Sequence, residues 1–117
     1  MKQIFLFLFA LHAGMFSAFL PSQIFNTSLT VTVRDELGNV VEGASVKLFV
    51  KKEDYTKEVN AVEEATTDAK GIAKFKKLQS ENYFILGRKG DKDNAVAGEL
   101  TVKLDKGRFN KLTVIIQ

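Results

Sequence analysis

The sequence predicts an all-β fold, a β-sandwich of about seven strands that follows an N-terminal export signal. Three observations indicate this. After residue 23, short runs alternate apolar and polar residues, and glycine-containing or acidic turns separate them. No apolar stripe with helical spacing occurs beyond the first twenty residues. The chain of 117 residues is long enough for one two-layer core and no second domain.

The first 22 residues fit the three-part pattern of a signal peptide. A basic start at Lys2 precedes the uncharged run Ile4–Leu20, and small residues follow it. We expect cleavage after Ser22, with Ala18 as the alternative, which leaves a mature domain at residues 23–117.

A retained membrane anchor is the competing interpretation of this leader, because 17 uncharged residues lie at the lower limit of a bilayer span. Polar residues inside the run, among them His12, and the absence of a basic cluster after it argue against an anchor. We therefore predict a secreted or periplasmic protein with no stable membrane insertion after cleavage.

The first two predicted strands flank a tight turn. Leu29–Val33 alternates apolar and polar side chains. Asp35–Asn39 then supplies a carboxylate that can bind its own backbone and a glycine that tolerates positive φ. Alternation resumes over Ala44–Val50, with Val50 on the inward face, whereas the polar segment Lys51–Asn60 fits a loop, a strand extension or a short helical turn.

A second tight turn divides the next pair of strands. Glu63–Thr67 leads into Asp68–Gly71, which has the same turn chemistry. Beyond it, Ala73 and Phe75 point inward between outward lysines, and Leu78 closes the run. The remaining predicted strands are a central strand at Tyr83–Leu86, apolar on both faces, and alternating strands at Val96–Leu104 and Leu112–Ile116.

Two segments resemble the landmarks of carboxypeptidase regulatory-like domains. Val33–Leu48 is similar to the family's opening: a strand, Asp-x-x-Gly, a small apolar pair, Gly-Ala and an alternating strand. Thr66–Phe75 resembles its Thr-Asp-x-x-Gly-x-x-x-Phe turn. The resemblance covers Leu29–Gln117 and implies a seven-stranded, transthyretin-like (prealbumin-like, Ig-like) sandwich. The chain departs from the pattern at Ser80–Asn82, which replaces the usual Pro-Gly before the central Tyr83.

Composition excludes several classes of function. The chain has no cysteine, and its single histidine, His12, lies in the leader. Disulfides, thiolate sites and imidazole chemistry, including zinc peptidase activity, are therefore excluded from the mature part. Hydrolases of the transthyretin-like group use histidines and a C-terminal Tyr-Arg-Gly-Ser, whereas this chain ends in Thr113–Gln117. The balance of 17 basic and 14 acidic residues argues against a nucleic-acid partner. We predict no enzymatic activity, no cofactor and no catalytic or metal-binding residue.

The segment 91–99 contains several of the residue types that bind calcium. Asp91, Asp93, Asn94 and Glu99 carry the oxygen ligands that calcium prefers. The spacing fails the calcium-loop motif because Ala95 occupies the third ligand position. We therefore predict a solvated hairpin loop.

Collagen-adhesin repeats of similar fold form a Lys–Asn isopeptide bond that a buried acid promotes. Lys47, or another early lysine, and Asn110 are the partners that this resemblance would imply. The acid expected shortly after Tyr83 is missing, so we predict two exposed polar side chains. The adjacent carboxylates Glu63–Glu64 and Asp35–Glu36 would point to opposite faces of a strand, so they are poor candidates for a cooperating acid and base.

The charges are unevenly distributed along the chain. Residues 23–69 carry 5 basic and 9 acidic groups, whereas residues 70–117 carry 11 and 5. Early and late strands interleave in a sandwich, so we expect no patch and predict that Lys74, Lys76 and Lys77 keep an exposed strand soluble. A surface for an acidic partner is the alternative.

These observations predict an exported, non-enzymatic module with a structural or protein-binding role in the cell envelope or outside the cell. Its partner is expected to be an envelope or extracellular protein. A glycan is less favoured, because two tyrosines and no tryptophan offer few stacking platforms. The alternative that the resemblance implies is an accessory domain of a separate peptidase. Asn26–Ser28 is a glycosylation triplet if the host has that machinery.

Overall fold

The computed structural model describes residues 26–117, which form two β-sheets packed face to face. The predicted leader, residues 1–22, lies outside the described residues. The strands are β1 Ser28–Asp35, β2 Ser45–Phe49, β3 Glu63–Thr66, β4 Ile72–Phe75, β5 Asn82–Lys89, β6 Lys92–Asp93, β7 Thr101–Lys103 and β8 Phe109–Ile116. A short helix, α1, spans Lys52–Lys57, and a single 3-10 turn spans Ala95–Ala97. The prediction of an all-β sandwich is confirmed.

The smaller sheet has three strands in the order β4-β1-β8. β1 is antiparallel to β4 and parallel to β8, and the parallel pairing runs over eight residue pairs, from Ser28–Phe109 to Asp35–Ile116. The larger sheet has five strands in the order β3-β2-β5-β6, and β7 pairs with the first half of β5. The first and last strands of the domain therefore lie side by side.

The core lies between the two sheets, where period-two alternation turns apolar side chains inward. The inward residues are Leu29, Val31 and Val33 of β1, Ala73 and Phe75 of β4, Val114 and Ile116 of β8, Val46 and Leu48 of β2, and Tyr83 and Ile85 of β5. All of them are buried. Removing each large apolar side chain from water stabilises the fold by about 1.5–3 kcal/mol, before chain entropy is counted. The predicted inward orientation of Ala73 and Phe75 is confirmed.

Helix α1 covers the outer face of the five-stranded sheet. Tyr55 of this helix packs edge-on against Phe49, with ring centroids 5.8 Å apart, and stacks on Phe84 at 5.5 Å. Leu86 completes this second cluster, so β5 is covered on both faces, as its apolar run predicts. Burial raises the pKa of the Tyr55 hydroxyl. The undecided segment 51–60 is therefore a short helical turn, and no helix among residues 26–117 has the length and apolarity to cross a membrane.

Two predicted strands are shorter than their alternation indicates. Val50 was expected to face inward, but β2 ends at Phe49 and the side chain of Val50 is 45% exposed. The chain leaves the sheet there to enter α1, and Phe49 instead joins the outer cluster.

The predicted strand Val96–Leu104 is reduced to β7. Val96 lies in the 3-10 turn and is 70% exposed, and Gly98 at φ 109 ends that turn. Asn94 explains the difference, because its side chain accepts the N–H of Gly87 (2.7 Å) and donates to the carbonyl of Ile85 (3.0 Å). The Asn94 side chain thus bonds the Gly87 N–H and the Ile85 carbonyl of β5, which a longer β7 would need for backbone pairing.

Candidate functional site

The predicted turn Asp35–Asn39 is built around one carboxylate oxygen. Asp35 Oδ1 accepts the backbone N–H groups of Leu37 (3.0 Å) and Asn39 (2.9 Å). The N–H of Gly38 donates to the Asp35 carbonyl at 3.0 Å. These bonds favour the ionised form, and they lower the pKa of Asp35 below its ordinary value of 3.8.

The second predicted turn repeats this arrangement. Asp68 Oδ1 accepts the N–H groups of Lys70 (2.9 Å) and Ile72 (3.0 Å), and the N–H of Gly71 donates to the Asp68 carbonyl at 2.9 Å. The same hydrogen bonds lower the pKa of Asp68. Both aspartates therefore use a carboxylate oxygen to fold their own turns.

The two turns lie at the same end of the sandwich, and Thr67 joins them to the chain between β1 and β2. The buried hydroxyl of Thr67 accepts the N–H of Ala44 (2.9 Å) and donates to the carbonyl of Val41 (2.6 Å). The N–H of Val33 in β1 donates to the Gly71 carbonyl at 2.8 Å. We call this region the turn end.

Three of the four candidate calcium ligands are used in other contacts. Asp93 bonds Arg88 at 3.2 Å, and Glu99 lies 3.6 Å from the ammonium of Lys52. Asn94 is buried and bonded to β5, so the expectation of a wholly solvated loop is wrong for this residue. Among residues 26–117, no three metal-ligating side chains of the His, Cys, Asp and Glu types cluster. Asp91 stays exposed in the β5–β6 turn.

Arg88 links helix α1 to the five-stranded sheet. Its guanidinium bonds both carboxylate oxygens of Glu58 and one oxygen of Asp93. This arrangement lowers the pKa of Glu58 and raises that of Arg88. Glu58 ends α1 in the left-handed region, with φ 56. The three partners are partly exposed, so we interpret the cluster as a fastening of α1.

Lys47 and Asn110 belong to different sheets. Lys47 lies in β2 between the inward residues Val46 and Leu48, so its side chain leaves the outer face of the larger sheet. The amide of Asn110 in β8 donates to the carbonyls of Ser28 (3.0 Å) and Asp105 (3.1 Å). These bonds fix the β7–β8 turn, and the structure does not bring the two residues together.

A groove of about 500 Å³ opens on the smaller sheet, at the end opposite to the turn end. Its lining includes four cations, Lys74, Lys76, Lys77 and Arg108, together with the ring of Phe109, and no carboxylate. Phe109 is 90% exposed, the largest exposure of any large apolar residue in the described part of the chain. We call this concavity the basic groove.

The basic groove corrects the expectation that the charge asymmetry of the sequence would disperse. β4 and β8, both from the basic second half, flank β1 in the same sheet. Their outward lysines therefore gather on one face. Sequence reasoning singled out Lys74, Lys76 and Lys77, but it missed Arg108 and Phe109. One feature of the sequence could have indicated Phe109. It has the opposite parity to the predicted inward residues of the last strand, so alternation places this aromatic side chain on the outer face.

No protein-family model matches the chain, and no curated protein matches it in sequence. Solved structures do match in fold. The pilus 2b backbone protein of group B streptococcus superposes with a TM-score of 0.57 at 18% identity, over 78% of this chain and 40% of that one. The minor pilin of Streptococcus agalactiae gives 0.56 at 15% identity, over 80% and 45%. The major pilin subunit of Bacillus cereus gives 0.54 at 17%, over 80% and 30%.

The chain thus spans less than half the length of each of these proteins. At this identity the similarity is one of fold, a β-sandwich domain of the kind found in pilin subunits.

Proposed function

We propose that this chain is an exported, non-enzymatic β-sandwich module with a structural or protein-binding role in the cell envelope or outside the cell. The observation that carries the proposal is a contrast between the interior and one face of the domain. The buried polar side chains are all hydrogen-bonded within the fold, whereas the cations of the basic groove form no ion pair among residues 26–117. Among the described residues, no buried side-chain nitrogen or oxygen lacks a hydrogen-bond partner. Thr27, Thr67 and Asn94 all serve the backbone of their own fold.

The fold similarity supports the same proposal. The similar structures are subunits of pili, which are assemblies of protein at the cell surface. In this proposal the leader is residues 1–22, the domain is residues 23–117, and the mature protein is secreted or periplasmic.

A relation to carboxypeptidase regulatory-like domains is part of the proposal, and the two matching aspartate turns support it. They also keep open the alternative of an accessory domain for a separate peptidase. A glycan-binding role has less support, because both tyrosines are buried and Phe109 is the one strongly exposed aromatic ring among residues 26–117.

Export is tested by mass spectrometry on fractions of the cells that produce the protein. We expect an envelope or medium fraction whose N-terminus is Gln23. Leu8→Asp is the matched control, because a charge inside the apolar run should block export and leave the unprocessed chain in the cell. A cytosolic wild-type protein that retains Met1 would refute the proposal.

The structural or binding role is tested by chemical cross-linking on intact cells, with detection of the tagged protein. We expect covalent adducts with another envelope protein. Wild-type protein that is exported and forms no adduct under any cross-linking condition contradicts this part of the proposal alone.

A further inference from the structure

The outer face of the smaller sheet carries two lysines, one on each side of the central strand β1. Thr30 of β1 is paired with Lys74 of β4 on one side and with Lys111 of β8 on the other. Its chain neighbours, Leu29 and Val31, point into the core, so Thr30 and its two partners point outward. Adjacent strands are about 4.8 Å apart, which places the two lysine backbones about 10 Å from each other across Thr30.

These cations form no ion pair within the described part of the chain. The three ion pairs of residues 26–117 are Lys52–Glu99, Arg88–Glu58 and Arg88–Asp93, and all of them involve the other sheet or its connections. None of the cations of the basic groove, nor Lys111, therefore lies within 4.0 Å of a carboxylate of residues 26–117. Like charges on one face repel each other, so an anionic ligand would lower the energy of this face.

Phe109 decides what kind of anion fits. It begins β8 beside Ser28 and lines the basic groove, and the residue is 90% exposed. A bare phosphate polymer would neutralise the lysines and leave this ring in water. A polypeptide can present carboxylates and an apolar side chain together, and burying an exposed phenylalanine contributes substantially to binding.

We propose that the basic groove, with Lys111 beside it, binds an acidic polypeptide segment that carries an apolar side chain. Its carboxylates contact Lys74 and Lys111, and its apolar side chain covers Phe109. This inference rests on the proposed function as a binding module, and it specifies the chemistry of the partner.

The first experiment uses the exported, full-length mature protein as bait for a library of random peptides displayed on phage. We expect enrichment of sequences rich in Asp and Glu that also contain a large apolar residue. The enriched peptide is then synthesised with a fluorescent label, and its affinity is measured by anisotropy at low and at high salt. Binding should weaken with salt, because exposed charges are screened.

Three variants locate the site. Lys74→Glu combined with Lys111→Glu should weaken peptide binding about tenfold or more, because attraction becomes repulsion at both points. Lys92→Glu on β6 of the other sheet is the matched control and should bind like the wild type. Phe109→Ser should weaken binding by a similar factor at both salt concentrations, since its contribution is apolar.

Lys77→Gly separates binding from stability. Lys77 adopts φ 58, a left-handed conformation that glycine accepts more readily than lysine. The substitution removes a cation of the basic groove and also relieves backbone strain. We expect weaker peptide binding with a midpoint of unfolding no lower than that of the wild type, a result that a folding defect cannot produce.

Several results would overturn the inference. One is a selection without enrichment of acidic peptides. A second is inorganic polyphosphate that binds as tightly as the peptide and is insensitive to Phe109→Ser, which would indicate a surface for bare polyanions. A third is salt-sensitive self-association in sedimentation velocity that Lys74→Glu abolishes, which would indicate a second copy as the occupant. None of these results affects the cleavage and fractionation test of export.

Discussion

The two aspartate turns share their local chemistry and differ in their surroundings. In each, one carboxylate oxygen accepts the N–H groups two and four residues later. In each, a glycine with positive φ follows at the third position, at +90 for Gly38 and +76 for Gly71. A Cβ at Gly38 would meet no atom within 4 Å, whereas at Gly71 it would lie 2.9 Å from both the Val33 carbonyl oxygen and the Val40 side chain.

This difference shows that one local motif can have two structural roles. The first turn reverses the chain in solvent. The second turn is packed under the segment that returns from the first, and it leads directly into the buried residues of β4. Substitutions in the second turn and the strand that follows should therefore be the more damaging.

The largest effect on stability is expected at Phe75, a core residue of β4, the strand that follows the second turn. Phe75→Ala removes a ring that is 2% exposed and leaves a cavity, so we expect a loss of about 3–5 kcal/mol in the free energy of unfolding. Lys76→Ala, at the next residue and exposed, should change it by less than about 0.5 kcal/mol. Urea unfolding of both variants measures the difference. Equal losses would mean that the register of β4 is shifted by one residue.

The glycines test the comparison directly. Gly71→Ala combines a left-handed alanine with a clash against backbone atoms, and we expect a loss of about 3 kcal/mol. Gly38→Ala has only the conformational cost, about 1 kcal/mol. Thermal and urea unfolding of the pair provide the measurement. Similar losses in the two variants would show that the second turn is no more tightly packed than the first.

Thr67 has no counterpart before the first turn. Thr67→Val keeps the shape of the side chain but leaves the Ala44 N–H and the Val41 carbonyl without their partner in a buried site. We expect a loss of about 2 kcal/mol. Thr66→Val on exposed β3 is the matched control and should be nearly neutral. Amide hydrogen exchange at Ala44 should accelerate in Thr67→Val alone, and unchanged protection there would contradict this role.

The smallest effects concern the stability of the domain at low pH. Both aspartates have pKa values lowered from 3.8 by backbone hydrogen bonds. A lowered pKa in the folded state gives stability that is fully present above 3.8 and is lost as the pH falls through the folded value. We therefore expect the free energy of unfolding to fall at low pH, and we call this fall the acid limb. Asp35→Asn and Asp68→Asn should each make the fall shallower. Urea unfolding as a function of pH measures it.

Asp91→Asn is the matched control, since Asp91 is an exposed aspartate in the β5–β6 turn. An acid limb that persists in the double variant of Asp35 and Asp68 would assign it to other carboxylates.

The features that could be predicted from the sequence are those determined by residues close together in the chain. The Asp-x-x-Gly turns and the inward Phe75 depend on neighbouring residues, and period-two alternation specifies them. Helix α1 has six residues, too few for a helical apolar pattern to emerge, so its segment stayed undecided. The outer position of Phe49 depends on Tyr55, which reaches it from that helix.

The basic groove depends on strand order, which alternation does not specify. Lys74 and Lys111 meet across Thr30 only because β8 returns to lie parallel to β1. The buried Asn94 is similar, since an asparagine in a polar loop gives no sign that its amide will bond a neighbouring strand.

The parallel pairing of β1 and β8 also determines how the domain bears mechanical load. The chain enters β1 beside Phe109 and leaves β8 beside Asp35, so the points of entry and exit lie at opposite ends of the paired strands. Tension applied at these points pulls the two strands past each other in shear. The hydrogen bonds along the eight pairs then resist together, whereas tension across a hairpin would open them one at a time. The register of this one strand pair thus sets the direction in which the domain is hardest to pull apart.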